Sequence, residues 1–154
     1  MDKNRKEKLI KDARETAEKY FREGDFFCSE AVLTTINDAL GQEFDPSVVK
    51  LASGFPIGVG KSGCLCGAVS GGVMALGLAY GRSKPGGEMP KSFPNNAALH
   101  DFIIDKYGST CCRVLTKDFE EFASQARAEH CISITGEVAA WVMDNFIENN
   151  VIEW

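Results

Sequence analysis

Two cysteines one residue apart open the most informative stretch of the chain, Gly63-Cys64-Leu65-Cys66-Gly67-Ala68-Val69-Ser70-Gly71-Gly72. Here a glycine-rich loop runs into an apolar helix. Four more thiols stand at Cys28, Cys111, Cys112 and Cys131. Six cysteines in 154 residues without an export signal are more than packing needs. They point to a metal, a cluster or a working dithiol. The thiolate is the reactive form in each case, as nucleophile or as ligand.

The placement of these thiols matters more than their number. Cys66 is expected just before a buried helix and Cys28 in the first turn of another. Cys131 is expected at or just before the last helix, and Cys111-Cys112 follow Gly108-Ser109-Thr110. Free N–H groups and the positive end of the dipole stabilise an anion at a helix start. Thiols so placed are expected to have pKa values lowered toward neutrality.

Each thiol also has a plainer reading. A lone cysteine among apolar residues is usually a small buried hydrophobe, which suits Cys28 beside Phe27, Ala31 and Val32. Cys64 and Cys111, each close to a second cysteine, read as passengers or as substitutes for their neighbours. Cys66, flanked by glycines that let other groups approach its sulfur, reads as functional. A closed four-thiolate zinc site normally uses C-x-x-C knuckles, and none is present. A vicinal Cys111–Cys112 disulfide would close a strained eight-membered ring and is not expected at rest. His100 and His130 lack metal spacing with each other and read as surface residues, although His130 adjoins Cys131. A Cys–His hydrolase would lack its third, orienting group. Gly60-Lys61-Ser62 fails as a phosphate loop, because Phe55 occupies the required glycine position and no strand precedes it. No nucleotide is expected.

The elements that must position the thiols are helical. Leu9, Ile10, Ala13, Ala17, Tyr20 and Phe21 make one stripe over about 3–23, ended by Gly24. Phe27, Ala31, Val32, Ile36 and Leu40 mark a second helix, stopped by Gly41. Asp45-Pro46 reads as an N-cap with proline at N1, opening a short helix to about Ala52. Residues 54–63 form a glycine-rich loop, and Cys66 to Tyr80 is a buried helix with small residues on two faces. Residues 83–94, with Pro85, Pro90 and Pro94, read as a loop. A helix carrying Leu99, Phe102, Ile103 and Tyr107 ends at Gly108. Asp118-Phe119-Glu120-Glu121 resembles the start of a helix to about Glu129. The last helix carries Ile134, Val138, Trp141, Val142 and Phe146, its start falling between Cys131 and Thr135 because Gly136 breaks the pattern. The expected fold is all-α: one compact domain over 1–154, a bundle of about six or seven helices.

Composition narrows the function. With 44% hydrophobic and 25% charged residues the chain is an ordinary globule. Its formal charge of -5 argues against nucleic acid, which needs a basic surface. No stretch approaches 18 uncharged apolar residues, so no membrane insertion is expected. The charged start, Met-Asp-Lys-Asn-Arg-Lys-Glu-Lys, lacks the apolar core of a signal peptide. A cytoplasmic location follows as the expectation, and there structural disulfides are rare.

With these residues laid out, the chain resembles the C_GCAxxG_C_C family of redox-active proteins. The likeness rests on Cys28-Ser29-Glu30-Ala31-Val32, on Cys66-Gly67-Ala68-Val69-Ser70-Gly71 with Met74-Ala75-Leu76-Gly77-Leu78 and Gly81 beyond, and on Cys112-Arg113-Val114-Leu115 and Cys131. The resemblance implies that Cys28, Cys66, Cys112 and Cys131 are the family cysteines. A similar domain occurs in split-Soret cytochromes c, where cysteines hold an iron–sulfur centre. This chain has no C-x-x-C-H, so no covalent haem is expected. Cys64 and Cys111 depart from the family pattern.

The leading expectation is an electron-transfer protein in which Cys28, Cys66, Cys112 and Cys131 hold one [2Fe–2S] or [4Fe–4S] cluster. Gly63, Gly67 and Gly71 would let backbone approach its sulfurs. The alternative is a thiol–disulfide oxidoreductase or redox sensor, with Cys66 attacking and Cys112 or Cys131 resolving. A helical zinc-binding or interaction module is the third reading. The partner expected is a redox protein, and a homo-oligomer is left open.

Overall fold

Residues 2–89 and 91–154 are described by the computed structural model. They contain only helices and loops, an all-α fold. Helix α1 (Lys3–Arg22) is opened by Asp2, whose carboxylate accepts the Asn4 N–H at 3.0 Å. Helix α2 (Cys28–Ala39) ends where Gly41 takes φ +72°. Asp45 then caps a 3-10 turn over Pro46–Ala52, accepting the Ser47 N–H at 2.8 Å. The expected N-cap followed by proline is therefore present, but it starts a tighter helix than an α-helix.

The loop expected over 54–63 contains one distorted turn, α3 (Pro56–Val59). Helix α4 (Gly67–Tyr80) has Cys66 as its N-cap. Helix α5 (Ser92–Tyr107) begins inside the segment read as loop, with Pro94 in its first turn where no N–H donor is required. Pro90, also assigned to that loop, lies outside the described residues. Gly108 ends α5 at φ +80°. Helix α6 is the single turn Cys112–Leu115.

The largest departure lies in the C-terminal third. No helix spans 118–129 as expected. Ser124 is the N-cap instead, its Oγ accepting the Arg127 N–H at 3.2 Å, and one helix, α7, runs Gln125–Glu148 without a break. Gly136 does not interrupt it. A Cβ there would lie 2.4 Å from Glu18 Oε1, so glycine leaves room for the Glu18 side chain of α1 against α7. Cys131 consequently sits in the second turn of a long helix, away from the N–H groups at its start.

Helix α4 is the centre of the bundle, with α2, α5 and α7 packed on it and α1 lying across α2 and α7. Its two small-residue faces have different neighbours. Gly72 faces Val138 Cγ1 and Leu99 Cδ2, where a Cβ would stand 2.6 and 2.7 Å away. Gly71 faces α2. Leu33, Ile36, Leu76, Leu99, Ile103, Val138, Val142 and Phe146 fill the space between, all fully buried. Tyr80 closes the lower end, its hydroxyl donating to Asn145 Oδ1 at 2.8 Å and its ring edge-on to Phe146. No helix among the described residues is long and apolar enough to cross a membrane.

Candidate functional site

The start of α2 is fixed by the two polar residues that follow Cys28. Ser29, fully buried, donates its hydroxyl to Ala52 O at 2.8 Å. Glu30 accepts the Phe27 N–H at 3.1 Å and the Ser53 hydroxyl at 2.9 Å. The Ser29–Ala52 and Ser53–Glu30 bonds tie the first turn of α2, which Cys28 begins, to the end of the 3-10 segment. The Cys28 sulfur lies against Gly67, the first residue of α4. A Cβ on Gly67 would come within 2.3 Å of Cys28 Sγ, and within 3.3 Å of Phe55 O and Pro56 Cα.

Cys66 and Cys112 belong to two loops that run side by side. The Cys66 N–H donates to Thr110 O at 2.7 Å, and the Arg113 N–H donates to Gly63 O at 2.9 Å. Between these bonds the loops are joined covalently, by a disulfide between Cys64 and Cys111 with Cα atoms 4.2 Å apart. The result is a seam. Cys64 and Cys111 are half-buried on its outer side, while Cys66 and Cys112 are buried within. The Ser109 hydroxyl accepts the Cys111 N–H at 3.0 Å and shapes the turn into α6. His130 ties the other end of α6 to α7 through a 3.0 Å bond to Leu115 O. It is half-buried between the rings of Tyr107 and Phe119, so the surface assignment is corrected.

The four remaining thiols stand close enough for charge on one to act on others. Cys28 feels Cys66 and Cys131, Cys66 feels Cys112 and Cys131, and Cys131 feels Cys112. At Cys28, Cys66 and Cys131 the acidity is opposite to expectation. Burial pushes the Cys28 thiol up to about 12, with Cys66 adding to the rise and the N–H groups of Ser29 and Ile57 pulling only partly against it. Burial likewise pushes Cys66 up to about 11, although the N–H groups of Val69 and Ala68 point at its sulfur. Burial also raises Cys131, opposed by the Arg127 guanidinium one turn earlier on α7. Two hydrogen bonds at a helix start do not offset removal of the anion from water. The thiol is the favoured form at these three positions near pH 7.

The model of the C_GCAxxG_C_C family, described as "Putative redox-active protein", matches residues 26–145. The chain belongs to that family. No curated protein and no solved structure was found to match it.

In this C_GCAxxG_C_C protein Gly67 and Gly71 of the signature, and Gly63 before it, each admit a close neighbour. Gly67 receives the Cys28 sulfur, Gly71 receives the Ser29 backbone, and Gly63, at φ +86°, receives the aliphatic part of Arg113. Cys64 and Cys111 are neither passengers nor spare ligands, because each is consumed by the other. A signal for that pairing existed in the sequence. Each of two loops carries a doublet, C-x-C or C-C, which supplies one sulfur per loop beyond the family set.

Among the described residues no three His, Cys, Asp or Glu side chains are disposed to hold a metal ion. The donor chemistry of Cys28, Cys66, Cys112 and Cys131, four thiols, is that of an iron–sulfur cluster.

One buried carboxylate borders the site. Glu137 on α7 accepts the Tyr107 hydroxyl at 2.9 Å and the Lys106 ammonium, with Arg14 Nη2 at 3.3 Å. Burial alone would raise its pKa, but the bonds from Lys106 and Tyr107 outweigh that and hold it below the usual carboxylate range. The Glu137→Gln variant should lose about 1–2 kcal/mol at pH 7, since both cations are partly exposed and screened. A group with a lowered folded pKa stabilises above its unfolded pKa and stops doing so as pH falls through the folded one. The gap between variant and parent should therefore stay open down to the unfolded value near pH 4.5 and narrow progressively as pH falls further, as urea midpoints compared at pH 7, 4.5 and 3 would show.

Proposed function

We propose that this protein is a thiol-based redox protein whose sulfurs interconvert between dithiol and disulfide. Each cycle passes two electrons and two protons to or from a redox partner protein. The observation that carries this reading is the coexistence, on one pair of adjoining loops, of an oxidised pair and of free thiols. Cys64 and Cys111 are joined, while Cys66 and Cys112 beside them are not. The dithiol reading makes Cys66 the attacking thiolate. With a pKa of about 11, only about one molecule in ten thousand would carry it at pH 7. Attack by Cys66 therefore needs a proton acceptor or an opening of the seam that rehydrates the sulfur.

An iron–sulfur centre on Cys28, Cys66, Cys112 and Cys131 is the second reading. It is favoured by four neighbouring thiols that feel one another's charge, and by the Ala68 and Val69 N–H groups that meet the Cys66 sulfur. It requires the four sulfurs to converge on one centre and to release their protons. When bound, such a cluster would supply one-electron transfer.

One pair of measurements separates the two. Metal-free protein titrated anaerobically with a dithiol reductant should take up electrons in twos, with cysteines changing state in pairs. Anaerobic incubation with iron and sulfide should yield no stoichiometric iron and no visible charge-transfer absorption. Iron retained in stoichiometric amount with such absorption would overturn the dithiol reading for the cluster. Tight zinc retention without any redox response would overturn both.

A further inference from the structure

The six cysteines differ in what can reach them. Cys66 and Cys112 are each only 9% exposed, below the seam between the two loops. The Cys64–Cys111 disulfide lies half-buried on the outer side of that seam. Apart from the disulfide and the packing of Arg113 on Gly63, two backbone bonds hold the seam, Cys66 N–H to Thr110 O and Arg113 N–H to Gly63 O. The loop leading into it is under tension of its own. Ile57, Val59 and Lys61 all adopt positive φ, at 59°, 54° and 71°. For β-branched Ile57 and Val59 such a conformation persists only where surrounding structure enforces it. The Gly63 N–H bonds Ile57 O at 3.2 Å, and a Cβ on Gly58 would stand 2.2 Å from the Cys64 N. The strained turn is thus pressed directly against the disulfide-bearing loop.

From this we infer that Cys64–Cys111, outside the family's cysteine set, is the disulfide that exchanges with the partner, and that a dithiol-bearing redox protein is that partner. The inference rests on the dithiol reading above and says where the exchange begins. A partner thiolate attacks one sulfur of the pair. The Cys64–Cys111 bond breaks as the mixed disulfide forms, and the leaving sulfur departs as thiolate and takes a proton. The partner's second thiol then displaces the first bond, leaving the partner as a disulfide and Cys64 and Cys111 as thiols. Two electrons and two protons pass from partner to chain. The cross-link that held the strained turn against α6 is then gone, and the seam over Cys66 and Cys112 is free to open.

The test uses the full chain in dithiothreitol redox buffers of graded ratio, quenched by differential alkylation and mapped by mass. Cys64 and Cys111 should change state together, reversibly and in native buffer, at least tenfold faster than any other cysteine. A dithiol oxidoreductase whose resolving cysteine is replaced by serine should be trapped on Cys64 or Cys111 of the parent chain. In the reduced state, alkylation of Cys66 and Cys112 should accelerate by tenfold or more. Reduction of this pair only after urea unfolding would overturn the inference by making it a structural brace. Traps landing only on Cys28, Cys66, Cys112 or Cys131 would overturn it while leaving the dithiol reading intact. No change of state at any of the six would remove both.

Discussion

Gly71→Ala is expected to destabilise the protein by about 2–3 kcal/mol, while Gly77→Ala in the same helix should stabilise it by up to about 1 kcal/mol. Both substitutions remove the backbone freedom that makes glycine unfavourable inside a helix. They differ in what the added methyl meets. At position 77 nothing lies within 4 Å, and the site is exposed. At position 71 the Cβ would come within 2.6 Å of Ser29 O and 2.8 Å of Ser29 Cα. Those are backbone atoms, fixed in turn by the buried Ser29 hydroxyl bond to Ala52 O, so the start of α2 must move as a unit. Because Cys28 precedes Ser29, the displacement should also loosen the sulfur from Gly67 and speed its alkylation. Thermal melts should separate the two variants by roughly 5–15 °C for a chain of this size. Equal stability of the two would mean that α2 does not bear on Gly71 as described.

The local stops and starts were legible because each depends on one or two residues. Asp45-Pro46, Gly41 and Gly108 act at the positions expected of them. So does the boundary at Cys66, which is fixed by the change from glycine-rich loop to an unbroken apolar run. The failures came where a signal depends on a distant neighbour. Gly136 looks like a helix break in isolation, and only the Glu18 side chain packed there makes it a contact. Asp118 to Glu121 carries the residues of a helix start, but Phe119 is used against the His130 ring, and Ser124 opens the helix instead. The thiol acidities are illegible in the sequence for a similar reason. Sequence shows that a cysteine begins a helix, whereas desolvation depends on everything packed around that helix.

The motif Cys28-Ser29-Glu30 makes the same point for the site. As a pattern it says only that a thiol begins a helix. In the fold, Ser29 and Glu30 are the residues that hold that thiol in place, through Ala52 and Ser53. The conformations on which the disulfide seam depends, such as those of Ile57 and Val59, are ones their residue types disfavour. No propensity argument would have placed them. Departures from local preference of this kind collect at functional or strained sites, and here they border the loop that carries Cys64 and Cys66.

A second large effect should appear in alkaline solution: the protein, with Cys28 and Cys66 free, should lose stability as pH rises above about 9. Both thiols are raised from an ordinary value of 9.0, to about 12 and about 11. Between the unfolded and folded values the native state keeps protons that the unfolded chain has released. A raised folded pKa therefore stabilises fully below pH 9, and that contribution is lost as pH climbs through 11 and 12. Each proton retained costs about 1.4 kcal/mol per pH unit, so the pair gives a slope approaching about 3 kcal/mol per unit. Tyr107, raised by burial and by its bond to Glu137, adds to any loss above pH 10, so the parent alone does not isolate the thiols. The readout is the difference in slope of urea-derived stability between parent, Cys28→Ser and Cys66→Ser over pH 8 to 10.5. Each variant should flatten the curve by about one proton. If both follow the parent, the two sulfurs ionise in the fold as they do in water, and the dry environment described for them is wrong. If they flatten it, the site needs a device for deprotonating them, whether the chemistry is exchange or ligation. The opening of the Cys64–Cys111 seam would supply one by returning Cys66 to water.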